Sequence, residues 1–174
     1  MPTIPYDRPD TDEYAPYYGA YVNQVPAGDL LTILADQMAE IMTLLRPLSE
    51  EKASFAYAPG KWTIKQVIGH LIDTERVFSY RLVSFARADP SPLPSFDENA
   101  WIDPAQFNDR SLTSLVDELV AVRSASIALV AGLPLEARVR RGIASGKEVS
   151  VRAIAHILPG HVAHHLQVLK DRYL

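Results

Sequence analysis

His161 and His165 stand four residues apart in the run GHVAHH, which covers positions 160–165. Each residue of an α-helix advances about 100° around the axis, so positions i and i+4 lie one turn apart on the same face. Two imidazoles in that arrangement can bind one metal ion together. The spacing therefore predicts half of a metal site.

The two histidines also fall on an apolar stripe whose spacings alternate between three and four, as on the buried face of a helix. The stripe comprises Val151, Ile154, Leu158, His161, His165 and Val168. A polar group buried without a partner costs about 1 to 3 kcal/mol, so two histidines on this face need a compensating interaction. A bound cation supplies one, and core histidines hydrogen-bonded to backbone or water are the alternative.

His70 is the candidate third ligand, because it is the only one of the five histidines outside the last predicted helix. Three protein ligands leave a metal one position for water or substrate. A neighbouring antiparallel helix in a bundle can bring such a residue to an i, i+4 pair. Asp73 is a candidate to orient His70 by accepting a hydrogen bond, and a surface carboxylate is the alternative.

The composition limits which chemistries are available. The chain has 174 residues, no cysteine and a net charge of −4. The length suits a single domain, residues 1–174, that folds without disulfides or a structural metal. The lack of cysteine excludes zinc fingers, iron–sulfur clusters and a cysteine nucleophile in this chain.

The distribution of charge and hydropathy bears on partners and location. Acidic and basic residues are interspersed, which gives no basic face for nucleic acid. No apolar run reaches the roughly 18 to 20 residues of a transmembrane helix, and the first residues do not resemble a signal peptide. We therefore expect a cytoplasmic protein that binds neither nucleic acid nor membranes and acts on a small molecule.

Hydrophobic periodicity predicts four helices, over about 29–48, from 64 to before 90, over 111–131 and over 150–172. The second has the clearest start, since Thr63 and Gln66 form a capping box. Pro159 is expected to interrupt the fourth helix two residues before His161.

The connections carry further predictions. Residues 89–109 hold four prolines without a helical period, and a long ordered link of this kind often covers a site. A hairpin turning at Ser145-Gly146 is expected to pair residues 138–144 with 147–149. Residues 1–27 are too rich in tyrosine for a disordered tail, so this segment is expected to pack on the bundle.

Three stretches of sequence resemble the DinB-like superfamily of metal-binding four-helix bundles, which includes YfiT-type proteins and bacterial low-molecular-weight-thiol transferases. These are WTIKQVIGHLID at 62–73, the link at 89–101 and GHVAHH at 160–165. The resemblance implies an all-α, up-down-down-up bundle with a long link between its second and third helices, often packed as a homodimer. It also implies that His70, His161 and His165 are the metal ligands.

Two classes of function follow. In the first, a divalent metal, with zinc or nickel preferred, lowers the pKa of a water or thiol for attack on an electrophile. The resemblance implies a thiol S-transferase, and a hydrolase is the more general version. In the second, the bundle is a non-catalytic metal- or small-ligand-binding protein of the stress response. A di-iron bundle of the ferritin type is rejected, because no histidine follows a glutamate by three residues.

Other side chains are candidates for supporting roles. His164 lies about 60° from His161 and 100° from His165 around the helix, so it is a candidate general base, with a solvated histidine as the alternative. Further carboxylates considered for the same role are Glu75, Asp97 and Glu98. Aromatic residues that either wall a pocket or merely anchor packing are Trp62, Trp101, Tyr14, Tyr17, Tyr18 and Tyr21.

Overall fold

Four long helices frame the protein in a computed structural model that describes residues 6–174. In chain order the helices are α1 (Gly19–Val22), α2 (Leu30–Leu45), α3 (Glu50–Ala53), α4 (Ile64–Ala86), α5 (Glu98–Ala105), α6 (Leu112–Ala131), α7 (Leu135–Arg138) and α8 (Val151–Arg172). Two single 3₁₀ turns lie at Pro16–Tyr18 and Phe107–Asp109, and two strands, β1 (Arg141–Ala144) and β2 (Lys147–Ser150), precede α8. The long helices α2, α4, α6 and α8 are the four that hydrophobic periodicity predicts.

Each long helix is preceded by a residue whose side chain accepts a hydrogen bond from a backbone N–H of the first turn, where the helix itself provides no acceptor. Asp29, Thr63, Ser111 and Ser150 are these caps. Gln66 completes the predicted capping box at Thr63 by accepting the Thr63 N–H at 2.9 Å. The predicted helix starts are therefore confirmed.

Helices α4 and α6 lie side by side and run in the same direction. Glu75 contacts Arg123, and one turn further along both helices Ser79 contacts Ser126. Two consecutive helices that run in the same direction must be joined by a segment that travels back along the whole length of the first helix. This requirement explains the long link between α4 and α6. The sequence analysis found no helical period in this link, whereas the structure contains the short helix α5 within it.

Helix α8 runs antiparallel to α4, since His70 meets His161 while Trp62, before α4, meets Tyr173, after α8. Helix α2 runs antiparallel to α6, because the contacts Arg46–Asp117 and Met38–Ser124 pair later residues of one with earlier residues of the other. These directions give the up-down-down-up order of the predicted four-helix bundle.

The buried apolar side chains form two clusters, one towards each end of the bundle. Between them lies one polar layer, defined here as Gln37, Glu75, Arg123 and His161, with one residue from each long helix. Arg123 is fully buried and donates two hydrogen bonds to the Glu75 carboxylate, at 2.7 and 2.8 Å, and a third to Gln37. The candidate metal ligand His161 thus lies at the level where the apolar core is interrupted.

The hairpin between α6 and α8 turns at Ser145 and Gly146, which both have positive φ, as a tight two-residue turn requires. Its first strand begins at Arg141 and not at Arg138 as predicted, because Arg138 ends helix α7 and residues 139–140 connect that helix to the strand. Helix α8 continues through Pro159, so the predicted interruption does not occur. The Pro159 carbonyl accepts a hydrogen bond from Gln37 at 2.9 Å.

The described part of the N-terminal segment contacts both α6 and α8. Residues 1–5 of the predicted segment lie outside the described residues. The Tyr6 hydroxyl donates to the Val130 carbonyl at 2.7 Å. Helix α1 crosses α8 at Gly160, where a Cβ atom would lie 2.2 Å from the Tyr21 carbonyl oxygen. Glycine is thus required there for the two backbones to approach. Among residues 6–174, none of the helices has both the length and the apolar character of a membrane span.

Candidate metal centre

His70 from α4 and His161 and His165 from α8 meet in the middle of the bundle. Each offers one ring nitrogen, and the three nitrogens all lie within 4.8 Å of one another. The Nε2 atoms of His70 and His161 are 3.1 Å apart. The structure therefore brings together the three histidines that the sequence analysis selected.

The spacing of these nitrogens fits a small divalent ion. A tetrahedral zinc site with Zn–N distances of about 2.0 to 2.1 Å places its nitrogens roughly 3.3 Å apart. The separation between His70 and His161 is close to this value. In the absence of a metal, a single N–H···N hydrogen bond between neutral imidazoles accounts for the same distance.

Thr74 lies next to the ring of His70, with its Oγ1 3.4 Å from Nδ1. This contact turns Nε2 towards the other histidines, and Trp62 packs on the ring at 4.9 Å between centroids. Asp73, expected in the orienting role, instead faces Arg76, at 3.9 Å. The expectation is wrong because Asp73 lies about 60° from His70 around α4, whereas Thr74 lies about 40° away on the other side.

Aromatic rings fix the position of His161. Tyr21 meets it edge-on at 5.3 Å between centroids, and Phe78 does so at 6.1 Å. Tyr21 reaches this place because α1 approaches α8 at Gly160. The glycine that precedes the first histidine therefore helps to build the site.

Burial keeps all three imidazoles neutral. It lowers the pKa of His70 to about 4, and burial together with the neighbouring histidines lowers the pKa of His165 to about 3. The pKa of His161 lies well below its usual value for the same two reasons. Neutral imidazole is the form that binds a metal, so the site is prepared for a cation at neutral pH.

The three histidines open onto a cavity of about 390 Å³. Its walls are Tyr17, Tyr18, Tyr21, Trp62, His70, Thr74, Phe78, Arg81, Phe96, Glu98, Ser145, His161, His164 and His165. Trp62 and three of the N-terminal tyrosines thus line the cavity. Tyr14 is buried in the core, and Trp101 stacks on Phe96 beside a neighbouring cavity instead.

The carboxylates considered as bases occupy different places. Glu75 is bound by Arg123, and Asp97 accepts the first N–H groups of α5 as its cap, so neither faces the histidines. Glu98 lines the cavity. His164 also lines it and packs against the rings of Tyr21 and His165, at 5.6 and 5.1 Å.

Sequence reasoning missed Ser145, in the hairpin turn, and two polar residues of α4, Thr74 and Arg81, as parts of the cavity wall. The two helix residues follow His70 at spacings of four and eleven, with Phe78 between them, so all four lie on one face of α4. This helical spacing from His70 is the feature of the sequence that could have identified them as cavity residues. His156, the fifth histidine, lies away from the site, with its Nδ1 2.9 Å from the Arg152 carbonyl.

Two known proteins can be compared with this chain. A curated relative from Oceanobacillus iheyensis, named "Putative metal-dependent hydrolase", is 34% identical over 55 residues, which is 31% of this chain and 31% of the relative. The solved structure of YfiT from Bacillus subtilis, described as "a probable metal-dependent hydrolase with an unusual four-helix bundle topology", superposes with a TM-score of 0.75. It is 16% identical in sequence, and the match covers 98% of this chain and 93% of that one.

The likeness to YfiT shows a shared fold over nearly the whole length of both chains. A family model described as the DinB superfamily matches residues 33–169, a range that includes all three clustered histidines. The chain therefore belongs to the DinB superfamily.

Proposed function

We propose that His70, His161 and His165 bind one divalent metal ion and that the protein is a metal-dependent enzyme acting on a small molecule in the adjoining cavity. One observation carries this proposal: three neutral, buried imidazoles converge within 4.8 Å at the wall of a cavity. Neutral histidines gathered in a core gain little from one another, whereas a cation would be bound by all three.

The arrangement favours an open rather than a closed metal site. Among residues 6–174, no fourth histidine or carboxylate joins the three clustered histidines. A site with three protein ligands keeps a position for an exchangeable group, which is typical of catalytic and not of structural metals. A divalent ion held there would lower the pKa of a water or thiol towards neutrality and polarise an electrophile. The non-catalytic alternative lacks this support.

The protein's own residues would supply orientation and proton transfer. Thr74 and Trp62 set the ring of His70, and the aromatic walls exclude water from around the substrate. His164 is the proposed proton acceptor, since its ring lies beside His165 at the cavity wall. Among the described residues that line the cavity, Glu98 is the only carboxylate, and it is the second candidate.

The nucleophile is proposed to be water or an external thiol. The names of the two compared proteins favour hydrolysis. Thiol transfer, which the family resemblance implies, would need a separate thiol molecule, because the chain contains no cysteine. Zinc and nickel are the proposed metals, since both accept imidazole ligands. The homodimer stays a prediction.

Metal content tests the proposal. Untagged protein, passed through gel filtration in metal-free buffer and analysed by plasma mass spectrometry, should carry close to one zinc or nickel per chain. His165→Ala and His70→Ala should each lose most of it. His164→Ala is the matched control, because it removes a neighbouring imidazole that lies outside the three clustered histidines, and it should keep the metal.

Activity screening then separates the two reactions. The metal-loaded protein should hydrolyse an ester or amide, or join a small thiol to an electrophile, and His165→Ala should abolish either activity. If wild-type protein remains free of metal after incubation with zinc or nickel, the metalloenzyme proposal is wrong. Equal metal content in His165→Ala and wild type would also contradict the proposal.

A further inference from the structure

Arg81 is a buried cation whose charge no carboxylate balances. Its side chain is on α4, eleven residues after His70, and the residue is only 2% exposed. The other buried cations Lys65 and Arg123 each form an ion pair, with Glu50 and Glu75. Within the described part of the chain, no ion pair joins Arg81 to an acidic group.

The guanidinium is held in place by neutral groups. One of its terminal nitrogens donates to the Pro94 carbonyl at 2.8 Å and to the Ser145 hydroxyl at 2.9 Å. The rings of Phe78 and Phe96 lie 5.8 and 5.7 Å from its Cζ. These contacts orient the group without neutralising it. An unpaired charge of this kind is costly in a protein interior, which calls for a partner from outside the chain.

Arg81 lines the same cavity as the three clustered histidines. Phe78 stands between them, with its ring 6.1 Å from the ring of His161 and 5.8 Å from Arg81 Cζ. The cavity therefore has a site for a metal at one end, an aromatic wall, and a fixed positive charge at the other end. Tyr17, Tyr18 and Ser145 also line the cavity, and each carries a hydroxyl group that can donate a hydrogen bond.

We propose that Arg81 is the anion-binding residue of this cavity, and that the substrate or co-substrate is a small molecule carrying a carboxylate or phosphate group. This inference rests on the proposed function insofar as the other end of that molecule reacts at the metal. The guanidinium charge attracts both oxyanions, the N–H groups that Pro94 and Ser145 do not use can donate to them, and the low dielectric of a buried site strengthens the attraction.

Binding of succinate and of its uncharged diamide, succinamide, tests the proposal by isothermal titration calorimetry. The two ligands match in size and differ in charge. Protein stripped of metal is used, so that a carboxylate cannot bind at the histidines through an ion. Wild type should bind succinate at least tenfold more tightly than succinamide. Inorganic phosphate is added as a competitor, to distinguish a phosphate site from a carboxylate site.

Arg81→Gln should weaken succinate binding at least tenfold and leave succinamide binding unchanged. Glutamine keeps a polar amide on a shorter side chain but carries no charge. Arg87→Gln is the matched control, because Arg87 is an exposed arginine at the end of the same helix, and it should bind succinate as wild type does. Circular dichroism confirms that each variant is folded.

Two results would overturn the inference. One is equal affinity of wild type for succinate and succinamide, and the other is undiminished succinate binding by Arg81→Gln. If that variant does not fold, Arg81→Lys replaces it. Lysine keeps the charge but loses the guanidinium donors and their contacts with Pro94 and Ser145, so succinate affinity should fall, and unchanged affinity would count against Arg81. A failure to bind metal would refute the proposed function and leave this test valid.

Discussion

Removing the charge of Glu75 should destabilise the protein far more than removing an exposed carboxylate. Arg123 is fully buried, and its paired hydrogen bonds to Glu75 are 2.7 and 2.8 Å long. Breaking a buried ion pair by changing one partner typically costs about 3 to 5 kcal/mol, because the other charge stays buried without compensation. Domains of this size have total stabilities of about 5 to 15 kcal/mol. Glu75→Gln should therefore remove a large fraction of the free energy of unfolding.

Urea denaturation followed by circular dichroism measures this loss. The matched control is Asp117→Asn, which breaks the exposed pair with Arg46, where both side chains are about half exposed. Exposed pairs contribute below about 1 kcal/mol. The double variant Glu75→Leu/Arg123→Met should lose less stability than Glu75→Leu alone, since no isolated charge remains. Similar losses for Glu75→Gln and Asp117→Asn would refute the reasoning.

Three further predictions concern the candidate metal centre. Gly160→Ala should lower the melting temperature and the metal affinity, because the new Cβ would lie 2.2 Å from the Tyr21 carbonyl and push α1 away from His161; Gly132→Ala, at a helix end with more space, is the control. Thr74→Val should weaken zinc binding up to about tenfold by titration against a chelator, since it removes the polar contact that orients His70; unchanged affinity would exclude that role. Metal-free protein should lose stability as the pH falls from about 6.5 towards 4. Folding depresses the histidine pKa values, so the unfolded chain binds more protons in this range; a flat stability profile between these pH values would contradict the buried, neutral state.

The parts of the fold that sequence predicted well depend on local signals. Thr63 and Gln66 mark a helix start within four residues, and the i, i+4 histidines of α8 need only the helical repeat to share a face. The helices α5 and α7 were missed because eight and four residues are too short to show a period.

The parts that sequence predicted poorly depend on contacts between distant segments. Asp73 has the right chemistry to orient His70, and only the phase of the helix shows that Thr74 is the neighbour instead. In the sequence, nothing distinguishes Arg81 from an exposed arginine on a helix. Only the fold shows that Pro94 and Ser145 contact it. The environment of a polar side chain on a long helix is set by which neighbours cover it, and that information is not local.

The three clustered histidines and much of the cavity wall come from different parts of the fold. The three histidines are on long helices whose positions are set by the core. By contrast, Tyr17, Phe96 and Ser145 reach the cavity from three different connections, one before α1, one between α4 and α6, and one in the hairpin turn. Insertions and substitutions accumulate most easily in connections. Changes in these three segments would therefore reshape the cavity while the three clustered histidines keep their positions, and any redesign of the cavity should begin in these segments.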